Sequence, residues 1–174
     1  MRRPVKLHQI IFLTLSFLAG LYCGAQIKMF YESSTFKPYA WQVAPDILNC
    51  YGDEFSELQM KRAMEYWAIR GYKTGEYIHD PPAELCEREW ITGAITLRKS
   101  KGLPASTLAS TRRYSTFMLM KGSVIRYKPG SFNLDLLNEH ELGHALGFTH
   151  LEIENHIMHP RYDKMGRNFW IPAG

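Results

Sequence analysis

Residues 140–150 read His-Glu-Leu-Gly-His-Ala-Leu-Gly-Phe-Thr-His, a spacing that asks for a helix followed by an abrupt reversal. On a helix, His140 and His144 lie four apart on one face, so one ring nitrogen of each can aim at a single point. Glu141 falls beside them. An open zinc site keeps three protein ligands and leaves the fourth position to water, so a third donor has to come from beyond the helix. His150 is placed for that, and Gly147 supplies the break, because a residue in the left-handed conformation there lets the chain leave the helix and bend back. The run therefore points to one Zn2+ ion held by His140, His144 and His150, with Glu141 as the acid–base group. The bland alternative, two histidines and a glutamate on a helix surface, gives no reason for Gly147 and His150 to stand where they do.

Further along, Asn155-His156-Ile157-Met158-His159-Pro160 follows the third histidine. The two runs in this order resemble the zinc-binding consensus and Met-turn of the metzincin clan of zinc metallopeptidases. The Met-x-Pro ending is most similar to the matrixin and adamalysin branches. Tyr162 does not take the place of the tyrosine that follows the methionine by two residues in other branches, because Pro160 stands there. The resemblance implies an α+β zincin fold in which a mixed, twisted sheet packs on two helices. Because fourteen residues follow Pro160, it also implies a short C-terminal subdomain after the Met-turn. Met158 is expected as a hydrophobic floor beneath the imidazoles, with Gly147 and Pro160 shaping the chain around them. His156 and His159 are expected to be surface or supporting histidines, since three ligands already fill the site.

The implied activity is hydrolysis of peptide bonds in a protein or peptide substrate. Glu141 serves as general base to a metal-activated water. An endopeptidase is expected, and an aminopeptidase would differ by a closed end to its cleft. Two rivals belong to other classes: a zinc-binding interaction module without turnover, and a membrane-anchored assembly module reusing the fold. Glu141 speaks against the first, because a purely structural zinc site needs no base and fills all four positions with protein.

The 174 residues suit one catalytic domain, read as residues 45–174 and expected to be a monomer. The formal charge of +4 is concentrated at the N-terminus in Arg2, Arg3 and Lys6; without them 18 basic and 17 acidic side chains remain. Such balance gives no basic face for nucleic acid. Residues 1–25 have the basic start and apolar run of a secretory signal, with a cleavage position before Gln26. An uncleaved anchor is the other reading, since residues 7–27 are long enough to span about 30 Å of hydrocarbon. Either way the domain is expected to be secreted or extracytoplasmic, touching a membrane only through residues 7–27. In such a space Cys50 and Cys86 can pair.

Residues 26–44 read as a stalk or N-terminal strand, and residues 47–51 as a short strand. A helix follows, with a capping box from Ser56 and Gln59 and an apolar stripe running to Gly71. Residues 90–97 read as a strand. A hairpin is expected from residues 114–120 and 123–127, joined at Lys121-Gly122. An antiparallel edge strand drawn from residues 107–120 is expected above the cleft, where an extended substrate adds by main-chain hydrogen bonds. Asn133 is the expected cap of a metal-binding helix over residues 134–146, anchored in the core by Leu142 and Leu146.

Overall fold

The computed structural model describes residues 36–100 and 102–171, of which Lys37–Trp170 form one compact unit. The proposed leader, residues 1–25, and the first part of the proposed stalk lie outside the described residues. No helix among the described residues is long and apolar enough to cross a membrane.

Five strands form one sheet: β1 (Asp46–Cys50), β2 (Tyr77–Ile78), β3 (Ala94–Lys99), β4 (Ala109–Thr116) and β5 (Leu119–Tyr127), in the order β2-β1-β3-β5-β4. Parallel pairing joins β1 to β2 and β3, and β3 to β5, while β4 runs antiparallel to β5 at the edge. Burial follows this order. The parallel β3 opens on four buried residues, Ala94 to Leu97, whereas β4 alternates and is mostly accessible. A strand covered on both faces reads as an apolar run, and an edge strand carries polar residues on its open side.

Three helices complete the unit: α1 (Glu57–Ala68), α2 (Ala83–Glu87) and α3 (Leu137–Ala145). Helices α1 and α3 pack on each other, and α3 packs beneath β4 and β5. At the junction Trp67 of α1 is fully buried, stacks on Phe148 with ring centroids 4.9 Å apart, and donates its indole N–H to the Glu139 carbonyl at 2.7 Å. Truncating a tryptophan in such a place typically costs about 3–5 kcal/mol, so this contact ties the metal-binding helix to the scaffold. Cys50 at the end of β1 and Cys86 on α2 form a disulfide, with Cα atoms 5.4 Å apart. Ala40 pairs with the start of β5, exchanging backbone hydrogen bonds with Met118 and Met120.

Several local expectations are corrected. The hairpin turns at Phe117-Met118, with Phe117 at φ 54°, and Gly122 lies within β5. A Cβ on Gly122 would sit 2.5 Å from the Trp90 ring and 2.7 Å from the Ile91 carbonyl, so that glycine marks a close approach of two segments and no turn. Trp90 is outside the ladder, stacked on Tyr114 at 5.1 Å, and β3 begins only at Ala94. Ser56 does cap α1, accepting from the Gln59 amide at 3.4 Å. Gln59 fails to return the bond, and its Oε1 is buried with no partner among the described residues. The helix ends at Ala68, short of Gly71. Asn133 does not cap α3, because residues 131–133 form a 3-10 turn that Ser131 ties to the Leu108 carbonyl at 2.7 Å. The chain then passes through Leu136 at φ 65°, and the helix opens at Leu137 without a side-chain cap.

Candidate metal centre

Helix α3 is buried on almost every side, and Leu142 and Leu146 anchor it as expected. It ends in a left-handed turn. Gly147 has φ 109°, its N–H bonds the His144 carbonyl at 3.0 Å, and the Phe148 N–H reaches back to the Gly143 carbonyl at 3.0 Å. That double bond satisfies the helix end and redirects the chain. A side chain at Gly147 would also strike the Tyr39 backbone. The reversal brings His150 to the other two histidines, and donor nitrogens of all three lie within 4.8 Å of one another. His144 Nε2 stands 3.1 Å from His140 Nε2 and 3.1 Å from His150 Nε2.

The hydrogen bonds decide what those nitrogens can do. His140 Nδ1 donates to the Ile157 carbonyl at 2.8 Å and His144 Nδ1 to the Phe148 carbonyl at 2.9 Å. A carbonyl only accepts, so both protons sit on Nδ1 and both Nε2 atoms present lone pairs. Burial pushes His140 down to about 4 and His144 well below its ordinary range, and it lowers His150 as well. The rings are therefore neutral at neutral pH. Lone pairs 3.1 Å apart repel unless a cation lies between them. Nitrogens about 2.0–2.1 Å from a tetrahedral zinc are about 3.3 Å apart, so the donor set fits that ion.

Glu141 is buried and lines a cleft of 610 Å³. Burial raises its carboxyl to about 7, against the opposing effect of a hydrogen bond from Thr111. Thr111 Oγ1 donates to Glu141 Oε2 at 2.5 Å. Two residues further along β4, Arg113 Nη1 donates to the Phe148 carbonyl at 2.9 Å. Both side chains line the cleft together with His140, His144 and His150. Sequence reasoning placed the edge strand but missed these two residues. Their spacing of two puts them on one face of a strand, but that local signal does not say which face meets α3.

Pro160 lines the same cleft, and so does Tyr162. Met158 is fully buried and approaches Gly143 of α3 closely. The surface reading of His156 and His159 is corrected, since both are buried. His156 Nδ1 accepts from the Met158 N–H at 3.1 Å, and His159 Nδ1 accepts from the Arg161 N–H at 3.0 Å. Both rings brace the turn that carries Met158, satisfying amide groups that the tight backbone leaves without a ladder partner.

A search of curated proteins finds no match. The Peptidase_M10 (Matrixin) family model matches residues 53–173, most of the chain, and decides between the two branches suggested by Met158 and Pro160. The chain belongs to the matrixin family and is a zinc-dependent metallopeptidase of the metzincin type.

Proposed function

We propose that this protein is an endopeptidase in which His140, His144 and His150 hold the zinc and Glu141 is the general base. The observation that carries the reading is the convergence of three neutral imidazoles beside a buried carboxylate on the wall of an open cleft. When bound, the zinc polarises the scissile carbonyl and makes water more acidic. A substrate strand extends along β4, whose outer edge pairs with no strand of the sheet. Glu141 takes a proton from the attacking water and passes it to the leaving amine. Thr111 holds that carboxylate in place, and Met158 packs beneath the helix as an apolar support. The expected work of a positioned acid–base group is about 10^2–10^4 in rate.

The disulfide between Cys50 and Cys86 supports a site of action outside the reducing cytoplasm. Residues 1–25 would then be a cleaved signal or an anchor through residues 7–27, and residues 45–174 the peptidase domain.

The decisive experiment joins metal analysis to cleavage of an unstructured protein mixture with mapped cut sites. Internal cuts by the parent are expected. Glu141→Gln should retain zinc and fold yet lose at least about a hundredfold in turnover, while His150→Ala should lose zinc. Full activity in Glu141→Gln, or full zinc occupancy in His150→Ala at low free zinc, overturns these assignments.

A further inference from the structure

Among the described residues, Arg113 is the arginine that lines the cleft. Its neighbour Arg112, on the opposite face of β4, pairs with Glu89 at 3.2 Å, Arg161 pairs with Asp163, and Arg167 pairs with Asp135. Arg113 is half-buried on the cleft wall, and no carboxylate among the described residues pairs with it. Among the described residues, the only acid lining the cleft is Glu141, which is bonded to Thr111. The guanidinium is nonetheless held still. Nη1 donates to the Phe148 carbonyl at 2.9 Å, and the group lies over the Tyr39 ring with Cζ 4.9 Å from its centroid. An arginine carries five N–H donors, and the Phe148 carbonyl is the one hydrogen-bond acceptor that Arg113 meets among the described residues.

Its position relative to the reacting centre follows from the strand. Thr111 touches Glu141, and Arg113 lies two residues on, about 6.6 Å along an extended chain. Helix α3 runs alongside: its first residue, Leu137, lines the cleft, Thr111 faces Glu141, and Arg113 reaches Phe148 just beyond the helix end. The cation thus occupies the His150 end of the cleft. An immobilised, unpaired guanidinium beside an open groove is suited to a planar carboxylate, which it can engage through two parallel N–H bonds.

We propose that Arg113 is a specificity residue that selects substrates carrying an aspartate or glutamate two or three residues from the scissile bond, on the side of the cleft bounded by His150. The inference rests on the reading of β4 as the substrate-binding edge. The selected acid supplies the countercharge that the protein itself withholds. A peptide with an uncharged residue there leaves the guanidinium desolvated and unpaired, and is disfavoured for that reason.

Two measurements test it on the zinc-loaded chain. Mapped cleavage of a peptide library should show Asp and Glu enriched at one position on one side of the cut. Arg113→Gln should lose that enrichment, and Arg113→Glu should replace it with Lys and Arg. Binding is read separately in the Glu141→Gln background, by fluorescence anisotropy of a labelled acidic peptide and its twin with Gln for the acid. The acidic peptide should bind about 10–100-fold more tightly, and the advantage should vanish when Arg113→Gln is added. Arg113→Gln keeps an N–H for the Phe148 carbonyl, so it serves if the charge reversal fails to fold. No enrichment in the parent, or enrichment and binding advantage that survive Arg113→Gln, overturns the proposal. If the parent cleaves nothing while the binding difference follows Arg113, the endopeptidase reading fails and the selectivity stands.

Discussion

Replacing Glu141 by glutamine should stabilise the metal-free protein at neutral pH while removing its activity. Burial raises this carboxyl from an ordinary 4.5 to about 7 in the folded chain. Each tenfold change in proton affinity is about 1.4 kcal/mol, so ionising Glu141 in place costs the folded state about 3 kcal/mol relative to the unfolded chain. Between pH 4.5 and 7 the folded protein keeps the proton and the unfolded chain has released it, so the parent loses stability as pH rises through this window. Glutamine does not titrate and escapes that loss. The lowered imidazoles of His140 and His144 act in the opposite sense, binding protons on unfolding, but they do so in both proteins and cancel in the difference. Urea unfolding of chelator-treated parent and variant, from below pH 4.5 to above pH 7, measures the quantity directly. The stability difference in favour of glutamine should grow by about 3 kcal/mol across the window and then level off. A difference that is flat with pH would refute the argument that burial sets the proton affinity of Glu141. So would a variant less stable than the parent above the window.

Thr111→Val removes the donor to Glu141 with little change in shape, and should lower kcat/KM by about 10–100-fold, the weight of a hydrogen bond to a charged group, with zinc content unchanged. Thr111→Ser should restore most of the rate, and parent-like kinetics in the valine variant would remove Thr111 from any positioning role. Cys50→Ala with Cys86→Ala opens a loop of 36 residues. The unfolded chain then regains entropy worth about 3–4 kcal/mol, which should lower the melting temperature by roughly 10 °C. An unchanged melting curve in the double variant would show that the bond does not constrain the unfolded chain as argued.

Much of the site was legible because it is local. His140 and His144 meet through helical spacing, and Gly147 sends the chain back through a turn that needs a left-handed residue. His150 then arrives within reach after only three more residues. None of this requires knowledge of what lies across the sheet, and the apolar pattern of β3 similarly reports its own burial. The same local signals misled where a distant segment intervened. Lys121-Gly122 has turn chemistry, yet Gly122 answers to the Trp90 ring. Asn133 has cap chemistry, yet Ser131 binds the Leu108 carbonyl and draws residues 131–133 into another turn. For His156 and His159 the surface half of the reading fails and the supporting half agrees with the structure, since both are buried and accept amides two residues on.

The eleven residues from His140 to His150 determined that three imidazoles able to hold a metal converge beside a carboxylate, because those relations are set by backbone periodicity and one break. Tertiary structure decided how that carboxylate is held and which side chains of β4 line the cleft. Thr111 lies 30 positions from Glu141, and Arg113 lies 35 from Phe148. They meet only because β4 pairs antiparallel to β5 and lies across α3, and no local repeat encodes which face of an edge strand will find which side of a helix.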